Sequence, residues 1–325
     1  MQSLSPFSAS DQAPPNPARD GPPVEEASGR LAALVDGNRE SLPIPVLIPD
    51  EALAREVQDR LARHGLLDPP ADGFFGPVSQ WALVEFCRAR GLPFEGALTR
   101  RAAHALLAET PALPLRPGGD LAGRVAAALL RRGDWLCRHP DCLTIVYVEG
   151  MEPDGRPSAA RPDAFDDTRL LLRVRPGGTP EIAGAWEATA APGRPAVEQP
   201  AEPAGAPRLA RGQHKAWVMG RTGLGTEHEQ QALVQAVPLP VTRDGNRDFR
   251  RGGDERQRAL FGLDQHGGLD APREQVGGIG AGCLVGRMQD GHGAFMALLR
   301  GDARWRASQA YRFMTSVLGV EEVGG

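Results

Sequence analysis

A histidine and a cysteine stand in glycine-rich surroundings 17 positions apart, in Phe261-Gly-Leu-Asp-Gln-His-Gly-Gly268 and Gly278-Ile-Gly-Ala-Gly-Cys-Leu-Val-Gly-Arg287. These residue types could carry nucleophilic acyl transfer. The thiolate is the attacking form of cysteine, and a free thiol is mostly protonated at neutral pH. An imidazole beside it can take the proton and later return it to a leaving amine. Gly280, Ala281 and Gly282 leave room for a substrate to approach Cys283. The N–H groups of Gly282 and Cys283 could face a developing oxyanion, a contribution typically worth about 3 kcal/mol per donor. The competing reading is a buried apolar cysteine and a strand-end histidine.

Other constellations offer less chemistry. Cys137 and Cys142 flank His139, but no second Cys or His pair follows at zinc spacing, so a structural or incidental role is expected. Asp244, Asn246, Asp248 and Asp254 alternate as calcium ligands might, yet the glycine and terminal glutamate of an EF-hand are missing. That run reads as an Asx-rich turn. His214, His228 and His292 are scattered without an HExxH pattern, so no metal is assigned. Gly220–Gly225 lacks the Gly-Lys-Ser/Thr of a phosphate loop. No cofactor is implied.

The elements that would position these residues follow from apolar spacing and turn chemistry. Residues 1–45 are rich in Pro, Ser, Asp and Glu and read as a disordered tail with one short helix at most, around Leu31–Val35. Residues 46–110 read as three short helices. Leu53, Val57 and Leu61 share one face, Gly76-Pro77 opens the second helix, and Thr99 caps the third. A linker, PALPLRPGG, covers 111–119. Asp120 then caps a helix with Leu121, Val125 and Leu129 on one side. From Leu143 the pattern turns to strands: 143–149, 169–174, 181–188, 214–219, 231–241 and 260–266, with a helix at 294–299 and a closing strand at 311–317. The segment 190–211, with five prolines, reads as a long loop, disordered or lid-like. The fold class expected is multi-domain, a three-helix module followed by a mostly-β domain with a few helices over 120–320.

The run Asp72-Gly-Phe-Phe-Gly-Pro-Val-Ser79, then Trp81-Ala-Leu-Val-Glu-Phe86, resembles the three-helix peptidoglycan-binding domain. Val57-Gln58 with Leu61, and Gly91-Leu-Pro-Phe-Glu-Gly96 with Leu98-Thr99, fit the same pattern, and Cys87 departs from its usual Gln. The resemblance implies wall binding, with Asp72, Phe75 and Trp81 as candidate ligand contacts. The segment 260–290 resembles the L,D-transpeptidase motif, in which a His-Gly pair precedes a small-residue-Gly-Cys run. It implies catalysis by Cys283 and His266 with Gly282, and substrate contact at Gly267 and Gly268. Two positions depart from the family: Gly280 stands for its Ser or Thr, and Val285 for its Arg or Asn. Arg287 is the candidate substitute for the latter.

The resemblances together imply a cysteine enzyme acting on peptidoglycan stem peptides, by transpeptidation or by hydrolysis. A non-catalytic wall-binding protein and a phage-type lysis protein are the alternatives. The partner expected is peptidoglycan, glycan and stem peptide. A net charge of -4, with 37 basic and 41 acidic residues, makes nucleic acid a poor partner. No run of 18 apolar residues exists, so no membrane span is expected. The first residues lack the basic start and apolar run of a secretory signal, so another export or release route would be needed. Oligomeric state is not legible.

Overall fold

The computed structural model describes residues 29–252 and 255–324. The first elements are α1 (Arg30–Asp36), β1 (Ser41–Pro43), α2 (Ile44–Leu47), α3 (Glu51–Arg63), α4 (Pro77–Ala89), β2 (Ala97–Thr99) and α5 (Arg100–Leu106). Thr99 caps α5 as expected, its Oγ1 accepting from Ala102 N at 3.1 Å, and the Asp50 side chain caps α3, accepting from Leu53 N at 3.2 Å. Pro77 sits in the first turn of α4. Leu53, Val57, Leu61, Phe75, Leu83, Phe86 and Leu106 close one apolar core.

The expected tail to residue 45 needs correction from residue 29 on; its part at 1–28 lies outside the described residues. Leu31 and Leu34 of α1 and Leu42 of β1 are buried in the helical core. The Glu56 carboxylate accepts from Arg30 N at 2.9 Å and Leu31 N at 2.8 Å, which starts α1. β1 pairs antiparallel with β2, Leu42 opposite Leu98. A short helix that could not stand alone is thus held by residues far along the chain.

The chain then enters α6 (Leu121–Arg132), capped by Asp120, which accepts from Gly123 N at 2.9 Å. Next come β3 (Thr144–Glu149), β4 (Asp167–Val174), β5 (Pro180–Thr189), α7 (Arg194–Glu198), β6 (Ala206–Leu209), β7 (Gly212–Thr222), β8 (Gln230–Gln235), β9 (Leu239–Asp244) and β10 (Glu255–Ala259). The series ends with β11 (Gln265–Gly267), β12 (Leu284–Gly286), α8 (Gln289–Arg300), α9 (Ala303–Ala307), β13 (Phe313–Gly319) and α10 (Val320–Val323). Eight strands form a closed barrel in the order β11-β12-β5-β4-β3-β13-β7-β8. Closure leaves no free edge. Side chains alternate as pleating requires: Ile145, Tyr147 and Leu171 face the interior cluster with Trp217, Leu233 and Leu284, while Val146, Val148, Leu170 and Leu172 meet Val125 and Leu129 of α6.

The segment 190–211 is also corrected. It is a loop that also carries α7 and β6, and β6 joins β9 and β10 in a separate three-stranded sheet. Its Gly193 N donates to Gly280 O at 2.7 Å, so the segment lies against the loop that carries Cys283.

The helical unit is welded to the barrel unit. The Asp68 side chain, fully buried, meets Lys215 Nζ at 2.7 Å, Arg304 Nη1 at 3.4 Å and the Tyr311 hydroxyl at 3.1 Å. Trp135 Nε1 donates to Ala62 O at 2.8 Å, and Arg138 N to Gly65 O at 2.8 Å. The expected linker has no slack: Leu113 packs on the helical core, Leu115 on the α6 cluster, and Arg116 N donates to Gly178 O at 2.7 Å.

Candidate active site

β11 and β12 run parallel, with His266 opposite Val285, and Leu284 N donates to Asp264 O at 3.0 Å. Paired residues of neighbouring strands point to one face, and that face recurs every second residue. Gln265 and Leu284 point inward, Gln265 Nε2 donating to Thr315 Oγ1 at 2.8 Å inside the barrel. His266, Val285 and Cys283 therefore share the outer face. The backbones of His266 and Cys283 are two residues apart along the strand and one strand apart across it, roughly 8 Å. Side chains of their length can converge over that step. No hydrogen bond joins the two among the described residues.

The existing partners set their chemical states. His266 Nδ1 lies 2.9 Å from Gly267 O. A carbonyl only accepts, so Nδ1 carries the proton and Nε2 keeps the lone pair. Burial lowers the imidazole pKa, partly opposed by the Gly267 carbonyl and the Asp264 charge. Cys283 donates to Gly262 O at 3.4 Å. Burial pushes its thiol up to about 11, and the Asp264 carboxylate adds to that. Part of the Cys283 surface stays open although protein surrounds most of the sulfur. At rest the pair is a neutral thiol and a neutral imidazole, so a thiolate must be made during reaction.

Gly282 has φ +116, a region L side chains rarely adopt, and a Cβ there would strike Pro207 O of β6. Its N–H and that of Cys283 have no acceptor among the described residues. Replacing Gly282 with alanine is expected to cost roughly 1–3 kcal/mol from backbone strain alone. The check is the thermal midpoint; a variant as stable as the parent would mean that the loop and β6 do not pack this way.

Gly282 adjoins Cys283 in the chain, and Arg287 is engaged by other partners. Arg287 Nε binds Glu187 Oε2 at 2.5 Å, and Nη1 reaches Ala271 O at 3.3 Å, four residues along from the cysteine. It belongs to an ion-pair chain through Glu187 and Arg273. Gly267 exchanges two hydrogen bonds with the Gln230 amide, 2.8 and 3.2 Å, and Gly268 N donates to Gly286 O at 2.7 Å. Both glycines have packing reasons, and neither offers a free N–H.

In the helical unit, Asp72 Oδ1 accepts from Gln58 Nε2 at 2.8 Å and from Phe74 N at 2.9 Å, which forms the turn. Phe75 is only 1% exposed and is core, which removes it as a ligand contact; Phe74 is the open one at 69%. Trp81 is half-buried at the seam, its ring 5.2 Å edge-on from His139. Cys137 and Cys142 are buried free thiols at that seam. Asp244 accepts from the N–H groups of Asp248 and Phe249 at 3.1 and 3.0 Å, the Asx turn expected.

Two features escaped sequence reasoning. Arg169 is fully buried inside the barrel, stacked 4.0 Å from the Phe295 ring, with Nη1 3.2 Å from His292 Nδ1 and no carboxylate partner among the described residues. A Cβ on Gly286 would collide with its guanidinium. Its charge lowers the pKa of His266. The available signal was an arginine in the inward phase of an apolar strand. The second is a cavity of about 500 Å³ at the barrel mouth, lined by Glu149, Asp167, Arg208, Arg250 and Arg251, with Thr189 and Ala191 on the Cys283 side. Cys283 does not line it.

Charge pairing in that mouth gives a pH signature. Burial would raise the Glu149 carboxyl, but Arg208 and Arg251 outweigh it and bring it down to about 2. Burial and the Glu149 charge push Asp167 up to about 6. The depressed Glu149 stabilises the fold above its ordinary 4.5, and that contribution disappears as pH falls toward 2. The raised Asp167 acts oppositely: its contribution is full below 3.8 and lost as pH rises through 6. Glu149→Gln is expected to remove about 3 kcal/mol of acid-limb dependence. Denaturant melts between pH 2 and 5 check this; a limb of unchanged steepness would be the contrary result.

The fold is thus a helical unit fixed to a closed barrel, whose outer face carries a histidine and a cysteine. Residues 50–106 match the model of the putative peptidoglycan binding domain family, so the helical unit carries that module. No curated protein matches the chain. Among solved structures it is similar to a fused Zn-dependent amidase/peptidase/peptidoglycan-binding domain-containing protein from Clostridium acetobutylicum, at 14% identity over 81% of this chain and 94% of that one, TM-score 0.27. It is also similar to an L,D-transpeptidase from Xylanimonas cellulosilytica, at 14% identity over 81% and 92%, TM-score 0.24. Both likenesses are distant, and the site stands on its own geometry. No group of three or more His, Cys, Asp or Glu able to hold a metal occurs among the described residues.

Proposed function

We propose that the chain is a wall-binding cysteine enzyme of L,D-transpeptidase type, acting on peptidoglycan stem peptides. The observation that carries this is the placement of His266 and Cys283 on one outer face of the β11–β12 pair, beside two N–H groups without acceptors among the described residues. His266 Nε2 takes the thiol proton as Sγ bonds to a peptide carbonyl carbon. The oxyanion forms against the N–H groups of Gly282 and Cys283. As the C–N bond breaks, the imidazolium returns its proton to the leaving amine, and a thioester remains on Cys283. An incoming amine gives transpeptidation and water gives hydrolysis; in either case the thiol is regenerated.

Intact-protein mass spectrometry after incubation with a tetrapeptide stem tests this. The expected result is an acyl adduct on the wild type that Cys283→Ala lacks. No adduct, with unchanged muropeptides, would overturn the reading. That outcome favours a non-catalytic wall-binding protein, for which the raised Cys283 thiol is the supporting observation.

A further inference from the structure

We infer that the wall polymer is held in the seam between the two units, in a composite site that pairs the open ring of Phe74 with the free guanidinium of Arg312. The inference rests on the wall-binding reading of the helical unit and not on the chemistry of Cys283.

A cavity of about 280 Å³ opens where the 68–79 turn meets the barrel. One wall is Asp72, Phe74 and Ser79; the other is Lys215, Ser308 and Arg312. Neither unit forms it alone, and the buried Asp68–Lys215–Arg304–Tyr311 cluster fixes the two walls relative to each other.

The chemistry of the walls selects the ligand. Phe74 is 69% exposed while the next residue, Phe75, is core. Its ring packs against Gly76: a Cβ there would be 2.5 Å from Phe74 Cε1. An exposed aromatic ring suits the C–H face of a pyranose. Lys215 is neutralised by Asp68. Arg312 is exposed and makes no hydrogen bond or ion pair among the described residues, so it is the unspent cation of the seam. A planar guanidinium suits a carboxylate or carbonyl. A sugar ring on Phe74 with a peptide carboxylate on Arg312 describes a glycan strand that carries peptide side chains. An unsubstituted neutral glucan would leave Arg312 unused.

The test is co-sedimentation of the full chain with purified peptidoglycan sacculi. Phe74→Ala and Arg312→Glu are each expected to weaken binding about tenfold, with Arg312→Lys retaining most of it. Both residues are exposed, so thermal midpoints should hold and serve as the folding control. Arg312 lies outside the family-matched residues 50–106, so its effect is the discriminating one. If the wild type binds and both variants bind equally well, the seam site is wrong while wall binding stands. If the wild type does not sediment with sacculi, the wall-binding reading fails and this inference with it. Equal weakening of binding to soluble chitin oligosaccharides, which carry acetamides but no peptide, by Arg312→Glu would overturn the assignment of Arg312 to the peptide side chain.

Discussion

Cys283→Ala is expected to reduce muropeptide turnover by roughly 10⁴-fold, His266→Ala by a similar factor, and the double variant by no more than either alone. Groups that act as one unit fail together, because a thiol without its base is nearly as inert as no thiol. Here the argument is stronger than for a preformed ion pair, since burial pushes the thiol up to about 11. The resting sulfur is almost wholly protonated at neutral pH, and in the proposed mechanism Nε2 of His266 is the base. The pH profile follows from the same states. Burial lowers the His266 pKa below its ordinary 6.5, so the acid limb should fall below that value. Activity should then hold to well above pH 9, because the thiol does not ionise by itself until about 11. A profile that declines on both sides of pH 7 would indicate a thiolate–imidazolium pair and a different resting state. Additive losses in the double variant would show that the two residues act independently.

The second large effect concerns stability. Asp68→Ala is expected to cost about 3–5 kcal/mol, since it strands buried positive charge. Burial would raise the Asp68 carboxyl, but Lys215 and Arg304 hold it below its ordinary value. Without it Arg304, 2% exposed, keeps Asp302 at 2.7 Å, but Lys215 and the Tyr311 hydroxyl lose their shared acceptor. A fall of roughly 10 °C in thermal midpoint should result. Differential scanning calorimetry should also show the single transition splitting, because this cluster joins the units. A midpoint within about 1 °C of the parent would mean that the apolar seam around Trp81, Trp135 and Cys142 suffices.

Much of the fold was legible because its signals are local. Asp120 and Thr99 announced their helices, Pro77 opened another, and β3, β4, β5 and β7 appeared as β-rich runs between Gly and Pro clusters. What was not legible depends on distant partners. The short helix around Leu31–Val35 was legible, but its docking through Glu56 was not; β1 needs Ala97–Thr99, and β6 is four residues whose partner strand begins 33 positions after its own first residue. Proline and alanine dominate 190–211, so local reading sees only loop. The candidate pair was legible from spacing, but Arg287 was not separable from it, since its engagement with Glu187 depends on β5. Arg169 gave no sign beyond its phase. Lys215 is the only lysine, and its place in the weld became visible only with Asp68 beside it, 147 positions away.

The weld also changes what kind of tether the helical unit is. A module on a slack linker raises local concentration and lets its partner domain sample many sites. A module fixed by a buried ion cluster and a taut nine-residue connection (111–119) cannot do that. It behaves as a caliper: under the proposed function, Cys283 would meet the wall at one set distance and one set angle from whatever the seam grips. Such a protein would choose its bond by position along the polymer as well as by the chemistry of the bond.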